Sequence, residues 1–132
     1  MTVTPSRSTE TKLPAPRVSF RLDLPGGARI GPGKVVLLET IAATGSISAA
    51  GRQLKMSYRR AWELVEDLNR HLGTAVVTTA AGGSGGGGAR LTAAGAAVVD
   101  SYRAIERAAE AAAQPHVGAL LRAIGDSDAR GA

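Results

Sequence analysis

The sequence contains no cysteine. That absence excludes disulfides, thiolate-bound zinc, thiol nucleophiles and iron–sulfur clusters together. Aromatic residues amount to only 3% of the chain. Alanine, by contrast, occurs 25 times, so the core has to be small, helix-rich and closely packed, with Leu, Val and Ile doing most of the burying. No apolar run approaches the roughly 20 residues of a membrane span, so no membrane association is expected. The opening stretch, Thr2 to Pro16, lacks the apolar segment of a secretory signal. The two histidines, His71 and His116, sit in unrelated segments, and Glu63, Glu66 and Asp67 read as a solvated helix face. Nothing in this pattern marks a catalytic centre, a metal site or a cofactor, and no enzyme is expected.

Acidic residues are also missing locally, and this is the more informative gap. From Thr40 to Trp62 there is none, yet Arg52, Lys55, Arg59 and Arg60 fall there. From Leu68 to Val99 there is again none, with Arg70 and Arg90 present. The formal net charge of +5 on 132 residues is therefore segregated. A segregated basic face is the footprint of a polyanion partner, but compositional bias on a solvated face explains the charge equally well, and the architecture has to decide; with it, duplex DNA in the cytoplasm, at the nucleoid, is the expected partner.

The length allows one compact domain with tails. Residues 1–17, with Pro5, Pro14 and Pro16, read as a disordered tail. Val18 to Leu24 alternates apolar and polar residues, the period of a half-buried strand that Pro25-Gly26-Gly27 ends. A first helix is expected from about Gly33 to Thr44, closed by Gly45. Ser46 caps a short second helix, with Ile47, Ala50 and Leu54 inward. Ser57 caps a third helix to about Leu72. Its apolar positions Tyr58, Ala61, Trp62, Val65, Leu68 and Leu72 form one stripe, which makes Trp62 and Leu68 core residues and leaves Tyr58 between core and DNA. Ala75–Thr79 and Ala89–Leu91 read as two strands around the run Gly82–Gly88. Thr92 starts a long fourth helix to about Ala113, stopped by Pro115. Residues 18–114 then make one domain, and 115–132 a short helical segment and tail.

Three short helices, a hairpin and a further helix is the order of a winged helix-turn-helix: mainly α, with a small β-hairpin wing and a long C-terminal helix. In that order the third helix presents its N-terminal end to the major groove, where Arg is the commonest reader of guanine. The glycine run lacks the Gly-Lys-Ser/Thr of a phosphate-binding loop. Gly/Ser composition fits a linker, but the strands on both sides favour a wing tip that approaches a phosphodiester closely. The candidate DNA contacts are Ser46, Ser48, Arg52, Lys55, Ser57, Tyr58, Arg59 and Arg60 of the helices, with Ser84, Gly85 and Arg90 of the wing.

The stretch Thr44 to Asn69 resembles the N-terminal DNA-binding domain of the molybdate-responsive ModE regulators, relatives of the LysR type. The distinguishing pieces are G-S-I-S at Gly45–Ser48, S-Y-x-x-A-W at Ser57–Trp62, and the glycine run followed by L-T-x-x-G at Leu91–Gly95. The likeness covers roughly Val18 to Ala113. It implies a dimeric transcription factor that contacts DNA through the third helix and the wing. Ser84 stands where better-known members carry Lys, which lowers the charge of the tip. The family's C-terminal domains bind molybdate. A chain of this length is expected to lack them, so molybdate binding is not carried over.

Val98, Tyr102, Ile105, Ala109 and Ala112 recur at spacings of 4, 3, 4 and 3, a coiled-coil-like seam on the fourth helix. It reads as a homodimer contact; the competing reading is that it packs on its own domain. The alternative function is an adaptor that dimerises and works with a separate ligand-sensing partner. The acid-free basic face speaks against it.

Overall fold

The computed structural model describes residues 17–80 and 88–131. Residues 1–16 of the expected tail 1–17, residues 82–87 of the run Gly82–Gly88 and the tip candidates Ser84 and Gly85 lie outside the described residues. The chain divides into two units, one being Ser19–Arg107. In that unit the elements run β1 (Leu22–Asp23), β2 (Arg29–Ile30), α1 (Pro32–Thr44), α2 (Ile47–Gln53), α3 (Tyr58–Leu72), β3 (Val77–Thr79), β4 (Ala89–Leu91) and the first part of α4 (Ala93–Gly131). The fold is the expected one: mainly helical, with a helix-turn-helix followed by a two-stranded wing.

The strand expected over Val18–Leu24 keeps its alternation as far as Asp23, because Val18, Phe20 and Leu22 are half-buried while Ser19, Arg21 and Asp23 are exposed, but Leu24 is exposed where the alternation would bury it. Only Leu22 and Asp23 are laddered, antiparallel to Ile30 and Arg29. A ladder needs a partner, and the short β2, unforeseen in the sequence, offers just two residues.

Helix ends follow the side chains. Gly45 closes α1 in the left-handed region at φ 72, and its N–H donates to the Ile41 carbonyl at 2.7 Å. Ser46 Oγ accepts the Ala49 N–H at 3.0 Å, and Ser57 Oγ accepts the Arg60 N–H at 3.0 Å. Each satisfies an orphan donor of a first turn. Thr92 does two jobs: its hydroxyl accepts from Gly95 N–H at 3.0 Å and donates to the Ala75 carbonyl at 2.6 Å.

The core gathers Val35, Leu37, Leu38 and Ile41 of α1, Ile47 and Ala50 of α2, Ala61, Val65 and Leu68 of α3, and Val76, Val77 and Ala89 of the wing. Tyr102 belongs to it as well. Two members of the seam expected on α4 pack on the core of their own unit. Tyr102 is 1% exposed, stacks on Phe20 at 4.5 Å between centroids and donates to the Phe20 carbonyl at 3.0 Å. Val98 packs against the same core. The physical reason is that Phe20, far away in sequence, gives Tyr102 an intramolecular stacking and hydrogen-bonding site. Ile105 stays exposed.

The expected stop at Pro115 does not occur, since α4 continues through it to Gly131. Proline removes one hydrogen bond and crowds the preceding turn. Five alanines between 108 and 113, the best helix formers, oppose that cost. Pro115 itself is exposed. Val117, Leu120, Leu121 and Ile124 follow at spacings of 3, 1 and 3, and the last three are exposed. No helix of the described residues is long and apolar enough to cross a membrane.

Candidate nucleic-acid interface

The turn between α2 and α3 sets the site. Leu54 caps α2, and Met56 N–H returns to the Gly51 carbonyl at 2.9 Å. Lys55 is held at φ 60, the one non-glycine residue at positive φ among those described. That conformation is uncommon for a side-chain-bearing residue and turns the chain sharply into α3. Ser57 then starts α3 with its first turn free of acids.

A helix advances about 100° per residue, so the buried rib Ala61, Val65 and Leu68 fixes where every other side chain goes. Tyr58 and Trp62 fall together on one flank, 56% and 45% exposed. They line a cleft with Ser46, Ile47 and Ser48 of the α2 start and with Thr79, Ala80, Gly88 and Ala89 at the wing root. Trp62 is therefore not a core residue, contrary to its place in the apolar stripe. The six apolar positions of α3 span more arc than the core covers, and the two aromatics lie at its edge.

Arg59 and Glu63 occupy the outward rib and pair at 3.4 Å. Arg60 and Leu64 fall on the flank away from the wing. Arg59 and Arg60 thus lie on different sides of the helix axis rather than on one face. Arg52, at the end of α2, is exposed and donates to Ser48 Oγ at 3.1 Å. Ser46 and Ser57 are engaged as caps, with Ser57 exposed and Ser46 half-buried.

The wing is fastened at three points. Ala89 N–H donates to the Gly45 carbonyl at 2.8 Å, joining β4 to the end of α1. Val76 N–H donates to Asn69 Oδ1 at 2.8 Å, joining the approach to β3 to the end of α3. Thr92 N–H donates to the Val76 carbonyl at 3.0 Å. Gly95 faces that carbonyl so closely that any Cβ there would run into it. The register pairs Val77 with Leu91, Thr78 with Arg90 and Thr79 with Ala89. Because successive strand residues point to opposite faces, Arg90 stands with Thr78 on the outer face of the hairpin while Ala89 is buried. Arg90 is outside the Tyr58–Trp62 cleft. Sequence patterning missed this division, since it shows which residues alternate and not what each face meets.

Residues 33–96 match the model of the bacterial regulatory helix-turn-helix protein, lysR family. The chain is 51% identical over 80 residues to the molybdenum-pterin-binding protein MopB of Rhodobacter capsulatus, which covers 61% of this chain and 30% of that protein. It is 36% identical over 107 residues to MopA of the same organism, covering 81% of this chain and 36% of that protein. The chain thus spans about a third of the length of these curated relatives. Among solved structures, that of full-length CbnR complexed with its target DNA is similar at 23% identity and a TM-score of 0.48, over 69% of this chain and 28% of that one. The motifs at Gly45–Ser48, Ser57–Trp62 and Leu91–Gly95 all lie within the matched segment. Over residues 33–96, this chain is similar to the bacterial regulatory helix-turn-helix of the lysR family.

Proposed function

We propose that this chain is a transcription regulator that binds duplex DNA as a homodimer, with α3 in the major groove and the β3–β4 hairpin as a wing against the backbone. The observation that carries the reading is the α3 surface. Its start is capped by Ser57, its first turn holds Arg59 and Arg60 and no acid, and its buried rib aims those residues at solvent. Arg59 on the outward rib is the base reader. Its intrahelical partner Glu63 orients the guanidinium in the free protein and is released when guanine O6 and N7 take its place. Tyr58, with Ser48, Arg52 and Lys55, lies where α2 and the turn meet the same groove. Arg90, Ser84 and Gly85 serve the wing.

The molybdenum link rests on the names of MopA and MopB, which are molybdenum-pterin-binding proteins. It supports a link to molybdenum metabolism. The dimer rests on α4, where Ile105 is exposed and Ala109 and Ala112 continue its rib. Tyr102, buried in its own domain, takes no direct part.

Selection of bound fragments from random duplex DNA tests the reading. A single enriched two-fold symmetric motif is expected, with binding that weakens with salt at a log–log slope of about −0.9 per phosphate contact. Arg59→Ala is expected to relax preference at one base pair by roughly 1–3 kcal/mol. Absence of an enriched motif overturns the proposal. Ile105→Asp is expected to raise the dimer dissociation constant in sedimentation without lowering the melting temperature, and an unchanged oligomer would remove Ile105 from the contact.

A further inference from the structure

The flank of α3 away from the wing carries its own basic cleft. Arg60 and Leu64 of α3 and Met56 of the turn line it on one side, and Arg21, Arg29 and Lys34 on the other. Four cations line this cleft and no acid does. The hairpin β1–β2 builds it by running along α3: its turn, at Gly26 and Gly27, meets His71 at the C-terminal end, and its open end lies by Arg60. Lys34 Nζ donates to the Arg29 carbonyl at 2.8 Å, pinning the first turn of α1 to β2. Asp23 is the carboxylate at hand, and Arg21 holds it with bonds of 2.7 and 3.1 Å. The guanidinium groups of Arg29 and Arg60 make no ion pair among the described residues.

Like charges gathered beside one another repel, and a polyanion laid across them relieves that repulsion. A helix seated in the major groove has a phosphate strand along each flank, because the groove is about 12 Å wide. The wing adjoins the Tyr58–Trp62 flank. The other flank is this cleft.

We infer that the cleft formed by Arg21, Arg29, Lys34 and Arg60 is a second backbone-binding site, which takes phosphates of the strand bordering the groove on the side away from the wing. Arg60 is then a phosphate contact rather than a base reader. The inference rests on the proposed DNA-binding function and extends the interface to a hairpin upstream of the helix-turn-helix.

The test is the double variant Arg29→Gln, Arg60→Gln, titrated with the selected duplex and with an unrelated one at several salt concentrations. Both side chains are exposed, and an unchanged melting curve establishes that the variant folds. The expected result is a log–log salt slope shallower by about 1.8, two contacts at about 0.9 each, with the same loss on both duplexes. Arg29→Lys is expected to keep the wild-type slope. An unchanged slope in the double variant overturns the inference, as does a loss confined to the selected duplex. Saturable binding of inorganic phosphate by the DNA-free protein, lost in the double variant while its duplex slope is unchanged, identifies a free-anion site and also overturns it. Failure of the wild-type protein to bind duplex DNA removes the parent proposal instead, so the two failures are distinct.

Discussion

Gly95 illustrates how one position without a side chain holds the wing in place. The Val76 carbonyl occupies the space a Cβ would need, and the same carbonyl accepts the Thr92 N–H at 3.0 Å. Gly95→Ala therefore has to move either α4 or the strand approach, and overpacking of this kind costs about 1–3 kcal/mol. A urea melt is the check: the midpoint is expected to fall with little change in slope. At this scale the caps were legible, because Ser or Thr ahead of an apolar-periodic run has a local chemical reason to be there. The exposure of Trp62 was not. A stripe of apolar residues fixes a face but not how much of its arc a neighbour covers, and here the small Ala61 sits innermost while the large rings lie at the edge. The burial of Tyr102 was illegible for a related reason, since its partner Phe20 is far away in sequence.

Among the elements, α4 departs furthest from its expected form. Pro115 lies within its span, so the turn before it lacks one backbone bond and is crowded by the ring. Pro115→Ala is expected to stabilise the second half of the helix by up to ~3 kcal/mol. The measurement is residue-resolved amide exchange around positions 111–119, where protection should rise; no rise would mean the proline is already accommodated at no cost. The sequence punctuation at Pro115 misled because a proline signal is local, whereas the helix around it is sustained by residues on both sides. By contrast, α1, α2 and α3 agree with their expected bounds to within a residue or so, α1 being marked by Pro32 at its start and Gly45 at its end, and α2 and α3 by a serine cap at the start and a turn or glycine at the end. The strand β2 shows the opposite limit. Its two laddered residues leave too little pattern to read, although they carry Arg29 to the flank of α3.

The larger unit is also joined electrostatically. Arg103 of α4 grips Glu39 of α1 with bonds of 2.9 and 2.7 Å and Glu106 with one of 2.7 Å. The hydrogen bonds from Arg103 hold the Glu39 carboxyl below its ordinary value of 4.5, against a smaller opposing effect of burial. In the unfolded chain Glu39 takes up a proton near that ordinary value; in the native protein it does so only at lower pH. Stability from this pair is therefore complete above the ordinary value and is lost as pH falls through the native one. Because Glu39 is more than a third exposed at its side chain, solvent screening keeps the effect small. Melting temperature measured against pH should decline less steeply below about pH 4.5 in Glu39→Gln than in the parent protein. At the scale of the molecule, element order made the fold legible, and the acid-free stretch marked the start of α3. The distribution of Arg59, Arg60 and Arg90 over separate faces was not, because it depends on which rib the core buries.

The bond from Ala89 N–H to the Gly45 carbonyl has a consequence for how motion in this domain is observed. It is shared property of the wing and of the junction between α1 and α2, so separation of either breaks it. Its amide proton exchanges through whichever opening occurs more often. One slowly exchanging amide at Ala89 would thus set a ceiling on the frequency of both events at once, and comparison of that rate with and without duplex DNA would report how firmly the bound state clamps the wing root.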